Sequence, residues 1–280
     1  MEKPIVAILY DFDKTLCTRD MQEYTFIPSV GMEPHEFWAE SDKLAKTEQM
    51  DTILSYMYCM LHFSNLCGKP IHRESLYACG EHVEYHPGVE GWFERINAYG
   101  DKVGVQVEHY VLSSGLKEII EGTSIARHFT KIFACEFMYV DGVAAWPKMA
   151  VNYTGKTQFV YRINKGVLDI SNNADVNNSK PEEERRVFFP NMIYIGDGLT
   201  DVPCMKLVKQ SGGHSIALYQ HSSLEVATPL LKHSRVDWMF EADYTEGSEL
   251  DVAMHLILDK LANDNRLRSL NRTQKESLGE

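Results

Sequence analysis

The chain has 280 residues, a formal charge of -12 and 44% hydrophobic residues, enough apolar material for one large domain or a main domain carrying a smaller one. Such acidity argues against nucleic acid or an anionic membrane as partner, so a small anion could bind only at a locally positive pocket. No run approaches the roughly 20 apolar residues of a membrane span, no basic and apolar leader opens the sequence, and the six cysteines show no CxxC pair or zinc spacing, so reduced thiols in a cytoplasmic protein are expected.

Ile5 to Tyr10 is a continuous apolar run, the pattern of a parallel strand covered on both faces. It runs directly into "YDFDKTLC", which puts Asp11 and Asp13 at the strand exit. From about Asp20 to Glu84 the chain is long, mixed in polarity and poor in Gly and Pro, and reads as several helices closed by His86-Pro87-Gly88. "VEGWFERINAYG" then reads as an amphipathic helix stopped by Gly100. The next strand lies within Val103 to Leu112 and enters Ser113-Ser114-Gly115, followed by a helix over "LKEIIEGTSIARHF" and a strand and turn over "IFACEFMYVDG". Thr154 to Gly166 makes another glycine-closed helix, and residues 169–186 an exposed polar insertion. "MIYIGDG" is a strand ending at Asp197, followed by a helix that begins near Asp201, the strand "HSIALY" and a closing helix. A polar tail over 263–280 is expected to be flexible.

Strands alternating with helices predict an α/β fold, a doubly wound parallel sheet. The helical block is too long for an ordinary crossover and reads as an inserted α-helical cap over 17–85, with 1–16 and 86–280 forming the core. In such a sheet, ligands bind beyond the carboxyl ends of the strands where the strand order reverses. Asp11 and Asp13, Ser113, and Asp197 with Asp201 would therefore meet in one crevice.

Four crowded carboxylates repel one another unless a cation sits among them, and hard oxygen ligands suit magnesium, Mg2+, which favours a substrate phosphate as a further ligand. A carboxylate beside magnesium can attack phosphorus. The second can protonate the leaving oxygen and then activate water, while a hydroxyl and a lysine hold the phosphoryl oxygens. Ser113 offers the hydroxyl and Lys156 the ammonium, with Lys148 and Lys165 as alternatives for the lysine.

"DFDKTL", "VLSSG", the lysine of "TGKTQ" and "GDGLTD" together resemble the four ordered motifs of the haloacid dehalogenase superfamily, in its aspartate-nucleophile phosphatase branch. The helical insert resembles the cap of its phosphoserine phosphatase-like members. The resemblance implies Asp11 as nucleophile and magnesium ligand, and Asp13 as acid and base, binding magnesium through its carbonyl. Asp197 would complete the metal site, with Asp201 supporting the metal and its waters and Thr15 the motif turn. Ser113 and the backbone of Ser114 and Gly115 would hold phosphate, and Asp20 would meet the rest of the substrate. The insert has no arginine in "TILSYMYCMLHFSNLC" to hold a substrate carboxylate, which disfavours phosphoserine. The expected activity is magnesium-dependent hydrolysis of a small phosphate monoester through an aspartyl-phosphate. A phosphotransferase or phosphomutase on the same residues, or a catalytically silent binding module, are the alternatives.

Overall fold

The computed structural model describes residues 3–220 and 224–278. Its centre is β1 (Ile5–Tyr10), whose last five residues are wholly buried. The insert follows as α1 (Phe26–Ser29), α2 (Pro34–Glu48), α3 (Thr52–Leu66) and α4 (Arg73–Cys79). The chain continues through α5 (Val89–Val103), β2 (Gln106–Leu116), α6 (Lys117–Glu121), β3 (Phe129–Val140) and β4 (Val143–Met149). Next come α7 (Thr157–Lys165), α8 (Asn173–Asn177), β5 (Met192–Gly196), α9 (Val202–Gln210) and β6 (His214–Tyr219). α10 (Leu224–Lys232), β7 (Trp238–Glu241) and α11 (Glu249–Leu278) close the order.

The seven strands form one sheet in the order β4-β3-β2-β1-β5-β6-β7, parallel except for the β3–β4 hairpin. This is the doubly wound α/β sheet expected from the alternation of elements. The order reverses at β1, with β2 on one side and β5 on the other, so the crevice lies above the end of β1. Helices flank the sheet, α5 packing with α11 and α7 with α9. No helix among the described residues is long and apolar enough to cross a membrane, and all six cysteines are free.

The helical insert leaves and rejoins the core at one place. Cys17 and Tyr85 form an antiparallel bridge, Thr18 N donates to Glu84 O at 2.9 Å and His86 N to Leu16 O at 3.1 Å. Farther out, His72 bridges to Val143 of β4, and Arg73 pairs with Glu136 of β3 at 3.4 Å. Asp51 caps α3 by accepting from Ile53 N and Leu54 N, and its other oxygen accepts from Asn152 Nδ2 at 2.6 Å.

Several boundaries differ from the sequence reading. Gly100 does not end its helix: α5 runs to Val103 and ends at Gly104, which adopts φ 94°. Gly100 is there for space, since a Cβ would lie 2.5 Å from Val107 Cγ2 of β2. Only Lys117–Glu121 of the next expected helix is α-helical, with a 3-10 turn at Ala126–His128. The closing helix continues to Leu278 through the polar stretch, which contains no Gly or Pro before that point; residues 279 and 280 lie outside the described residues. The insertion at 169–186 carries α8 and is fastened at both ends. Arg162 donates to the carbonyls of Asp169, Ile170 and Asn172, and Arg186 bonds both carboxylate oxygens of Glu108 on β2.

Candidate active site

Strand register builds the site. Tyr10 lies level with Val111 of β2 and with Ile195 of β5, so Asp11 leaves the sheet beside Leu112-Ser113 and beside Gly196-Asp197. Asp11 N donates to Ile195 O at 2.9 Å, which fixes the exit. Phe12 turns into the core, and its carbonyl accepts from Thr15, Leu16 and Cys17 N, closing a tight turn through Lys14 at φ 57°.

Lys156, at the start of α7, is wholly buried. Its Nζ donates to Asp11 Oδ1 at 2.9 Å and to Asp201 Oδ1 at 2.8 Å. Tyr194 of β5 donates its hydroxyl to the same Asp201 oxygen at 2.7 Å. Gly196 allows this approach, because a Cβ there would sit 2.4 Å from Asp201 Oδ2. Oxygens of Asp11, Asp197 and Asp201 all fall within 4.8 Å of one another. Of the alternative lysines, Lys148 pairs with Glu136 and Lys165 donates to the carbonyls of Val176 and Asn178. Neither serves the cluster.

Asp13 faces elsewhere. Its Oδ1 accepts from Met21 N of the insert at 2.7 Å, and its Oδ2 lies beside Gly115, where a Cβ would come within 2.7 Å. The same Cβ would sit 2.1 Å from Met21 Cε, so Gly115 is the residue that lets the β2 loop, the insert and Asp13 meet. Ser113 is buried, its Oγ accepting from Gly115 N at 2.9 Å. The hydroxyl of Ser114 is buried without a hydrogen-bond partner among the described residues, while its carbonyl accepts from Tyr56 of α3 at 2.7 Å. Thr15 Oγ1 reaches Asp197 Oδ1 at 3.5 Å, and Thr15 O accepts from Tyr244.

The electrostatics are those of a site with too much negative charge. Burial raises the Asp11 carboxyl, the charge of Asp201 raises it further, and Lys156 opposes both. Asp197 is pushed well above the carboxylate range by burial and then by Asp11 and Asp201. Burial, Asp20 and Asp11 do the same to Asp13. Burial would lower the Lys156 ammonium, yet Asp11 and Asp201 reverse this and hold it charged. One ammonium cannot balance these carboxylates. An all-oxygen donor set with surplus negative charge fits a hard divalent cation such as magnesium. His86, placed next to the turn, spends its Nε2 on Lys14 O.

Two placements refine the residue assignments read from the sequence. The carboxylate cluster is made by Asp11, Asp197 and Asp201, and the side chain of Asp13 is not part of it. Asp20 is not a free carboxylate: its Oδ2 pairs with Lys14 Nζ at 2.6 Å. Lys14 and Met21 give no sign in the sequence that they neighbour the site, and Tyr194 gives little. Tyr194 left one signal, a hydroxyl-bearing residue in an otherwise aliphatic buried strand, where the hydroxyl needs a partner. Tyr56 and Tyr58 are separated by about 200° around a helix; Tyr56 is buried toward Ser114, and Tyr58 is 52% exposed and stacked on His62.

Residues 8–206 match the haloacid dehalogenase-like hydrolase family, and the chain belongs to it. An uncharacterised protein of Borreliella burgdorferi is 28% identical over 274 residues, spanning 88% of this chain and 94% of that one. Among solved structures, the hydrolase t0658 of this family from Salmonella enterica serovar Typhi has a TM-score of 0.60 at 16% identity, covering 91% of this chain and 72% of that one. A probable phosphoserine phosphatase from Vibrio cholerae gives 0.58 at 14%, covering 94% and 67%. A phosphoserine phosphatase captured as a phospho-aspartyl intermediate analogue gives 0.52 at 16%, covering 85% and 93%. At these identities the likeness is one of fold: a phosphoserine phosphatase-like architecture, with a helical insert after the first strand.

Proposed function

We propose that the chain is a magnesium-dependent phosphatase that hydrolyses a small phosphate monoester through an aspartyl-phosphate on Asp11. The observation that carries this reading is the buried Lys156 bridging Asp11 and Asp201 beside Asp197, with a differently placed Asp13 two positions after Asp11. Magnesium held by Asp11, Asp197 and the carbonyl of Asp13 would offset the charge that keeps an anionic nucleophile from an anionic ester.

Within that frame each side chain has a distinct task. Asp11 attacks phosphorus as the bond to the alcohol oxygen breaks. Asp13, whose carboxyl is raised by burial and by Asp20 and Asp11, delivers a proton to the leaving oxygen. It then takes a proton from the water that cleaves the acyl phosphate. Lys156 holds Asp11 in place and faces the phosphoryl charge. The hydroxyl of Ser113 and the amide of Ser114 hold the phosphoryl oxygens, and the Ser114 hydroxyl, without a partner among the described residues, offers a further donor. Asp201 keeps Lys156 aligned, with Tyr194 behind it.

The insert would read the rest of the substrate. Asp20 sits at its base, and a substrate amine or hydroxyl would have to share this carboxylate with Lys14. The chain is read as a cytoplasmic enzyme of small molecules.

Turnover of p-nitrophenyl phosphate tests the proposal. We expect activity with magnesium, none after EDTA, and less than about a tenth of wild-type kcat in Asp11→Asn. Equal release of nitrophenol and phosphate in the presence of glycerol supports hydrolysis, whereas nitrophenol in excess indicates transfer to an alcohol. No turnover of any phosphate monoester points to a silent binding module.

A further inference from the structure

We propose that the cleft between α9 and the turn after α10 binds a small organic phosphate, a monoester dianion of sugar-phosphate or nucleoside-monophosphate size. The cleft has a volume of about 410 Å³ and is lined by Val202, Lys206, Lys209, His233, Ser234 and Arg235, among others. It shares no residue with the carboxylate cluster, though Val202 directly follows Asp201 in the chain.

The charge of this cleft is opposite to that of the chain. Acidic residues outnumber basic ones by 40 to 28 in the sequence, yet Lys206, Lys209 and Arg235 converge here. Lys209 is committed, donating to Val236 O at 2.7 Å and pairing with Asp237 at 3.2 Å. Lys206 and Arg235 are exposed, and neither side chain has a hydrogen-bond or ion-pair partner among the described residues, so two solvated positive charges can meet an anion here. Two unmatched cations suit a dianion, and a guanidinium fork suits the paired oxygens of a phosphate.

The wall opposite α9 is fixed before any ligand arrives. His233 N donates to Pro229 O, Ser234 N to Leu231 O and Arg235 N to Leu230 O, so three successive residues are tied back to the end of α10. Ser234 takes φ 54°, the left-handed conformation of a helix C-terminal cap, which the Arg235 N to Leu230 O bond closes. Ser234 adds a hydroxyl donor beside the cations. A free phosphate would leave most of the volume empty, and a cavity of this size is typical of a site for a small organic molecule. Hence an organic ester is favoured over the bare ion.

Calorimetric titration of the wild-type protein in EDTA tests the site, because metal-free carboxylates repel anions from the other crevice. Adenosine 5′-monophosphate and glucose 6-phosphate serve as probes, with inorganic phosphate as the comparison. We expect at least one ester to saturate below about 10 mM and to bind more tightly than inorganic phosphate. Lys206→Ala and Arg235→Ala should each weaken it about tenfold, the worth of one charge-assisted hydrogen bond. Lys46→Ala, an exposed lysine on α2, should leave it within about twofold. Absence of saturable heat with both esters overturns the proposal. So does binding that Lys206→Ala and Arg235→Ala leave unchanged, or binding that inorganic phosphate matches.

Discussion

Replacing Lys156 with Met keeps the length of the side chain and removes its charge. Lys156 is fully buried and makes two ion pairs below 3 Å, to Asp11 and Asp201, which are themselves buried. Losing one partner of a buried ion pair costs about 3–5 kcal/mol, because the other charge is left without compensation. A chain of this length has an unfolding entropy on the order of 0.6 kcal/mol per kelvin, so the melting temperature in EDTA should fall by about 5–9 °C. Lys46→Met, at an exposed position, should shift it by less than about 1 °C. The pairing also predicts non-additivity. Asp201→Asn in the Lys156→Met background removes one of the stranded charges, so the double variant should be more stable than the sum of the single losses by about 1 kcal/mol or more. Differential scanning calorimetry of wild type, the three single variants and the double variant reads both effects. A drop no larger than that of Lys46→Met, or strict additivity with Asp201→Asn, would refute the view that Lys156 holds these carboxylates together.

Three further outcomes are expected. Gly115→Ala should lower turnover about tenfold or more while costing only about 1–3 kcal/mol, because its methyl would collide with Met21 and the Asp13 carboxylate; full activity would show that the loop yields freely. Asp13→Asn should slow alkyl phosphates far more than p-nitrophenyl phosphate, whose leaving group needs little protonation, and equal losses would contradict the acid role. The Glu108–Arg186 pair should make stability depend on pH. Burial alone would raise the Glu108 carboxyl, but hydrogen bonds from Arg186 and Tyr110 hold it below the usual 4.5. A carboxyl lowered in the native state contributes its stability above the unfolded value and loses it as pH falls through the native one. The gap in melting temperature between wild type and Arg186→Gln should therefore be constant from about pH 7 to 5 and narrow steadily as pH falls below about 4.5; a gap that widens or stays constant on acidification below that point would contradict this.

What the sequence discloses here depends on whether the cause is local. The apolar run of β1 and the aspartates behind it are read directly, because burial on both faces and a strand exit are written into neighbouring residues. Lys156 is pointed to by its order in the chain, and the structure places it against Asp11 and Asp201 while giving Lys148 and Lys165 other partners. Strand β4 escapes notice because Pro147 suits only a sheet edge. β7 is too short, at four residues, to show a period. Gly100 is misread because a helix-ending glycine and one that lets a strand approach look alike in one dimension. Likewise the Lys14–Asp20 pair and the meeting of Met21 with Gly115 arise only when the insert folds back onto the β2 loop.

The neck at Cys17 and Tyr85 bears on how the molecule assembles. β1 is followed by the whole insert and α5 before its neighbour β2 appears, so the central pairing of the sheet must close a long loop. Once the two ends of the insert are bridged, that loop shrinks to Asp11–Leu16 and His86–Val105, and the entropy of closing it falls by about 1 kcal/mol. The insert is thereby a detachable unit in the topological sense. A shorter, longer or unrelated segment spliced between Cys17 and Tyr85 would leave the register of β1 against β2 and β5 untouched. The same scaffold could thus acquire a new lid, and with it a new substrate, without relearning how to fold.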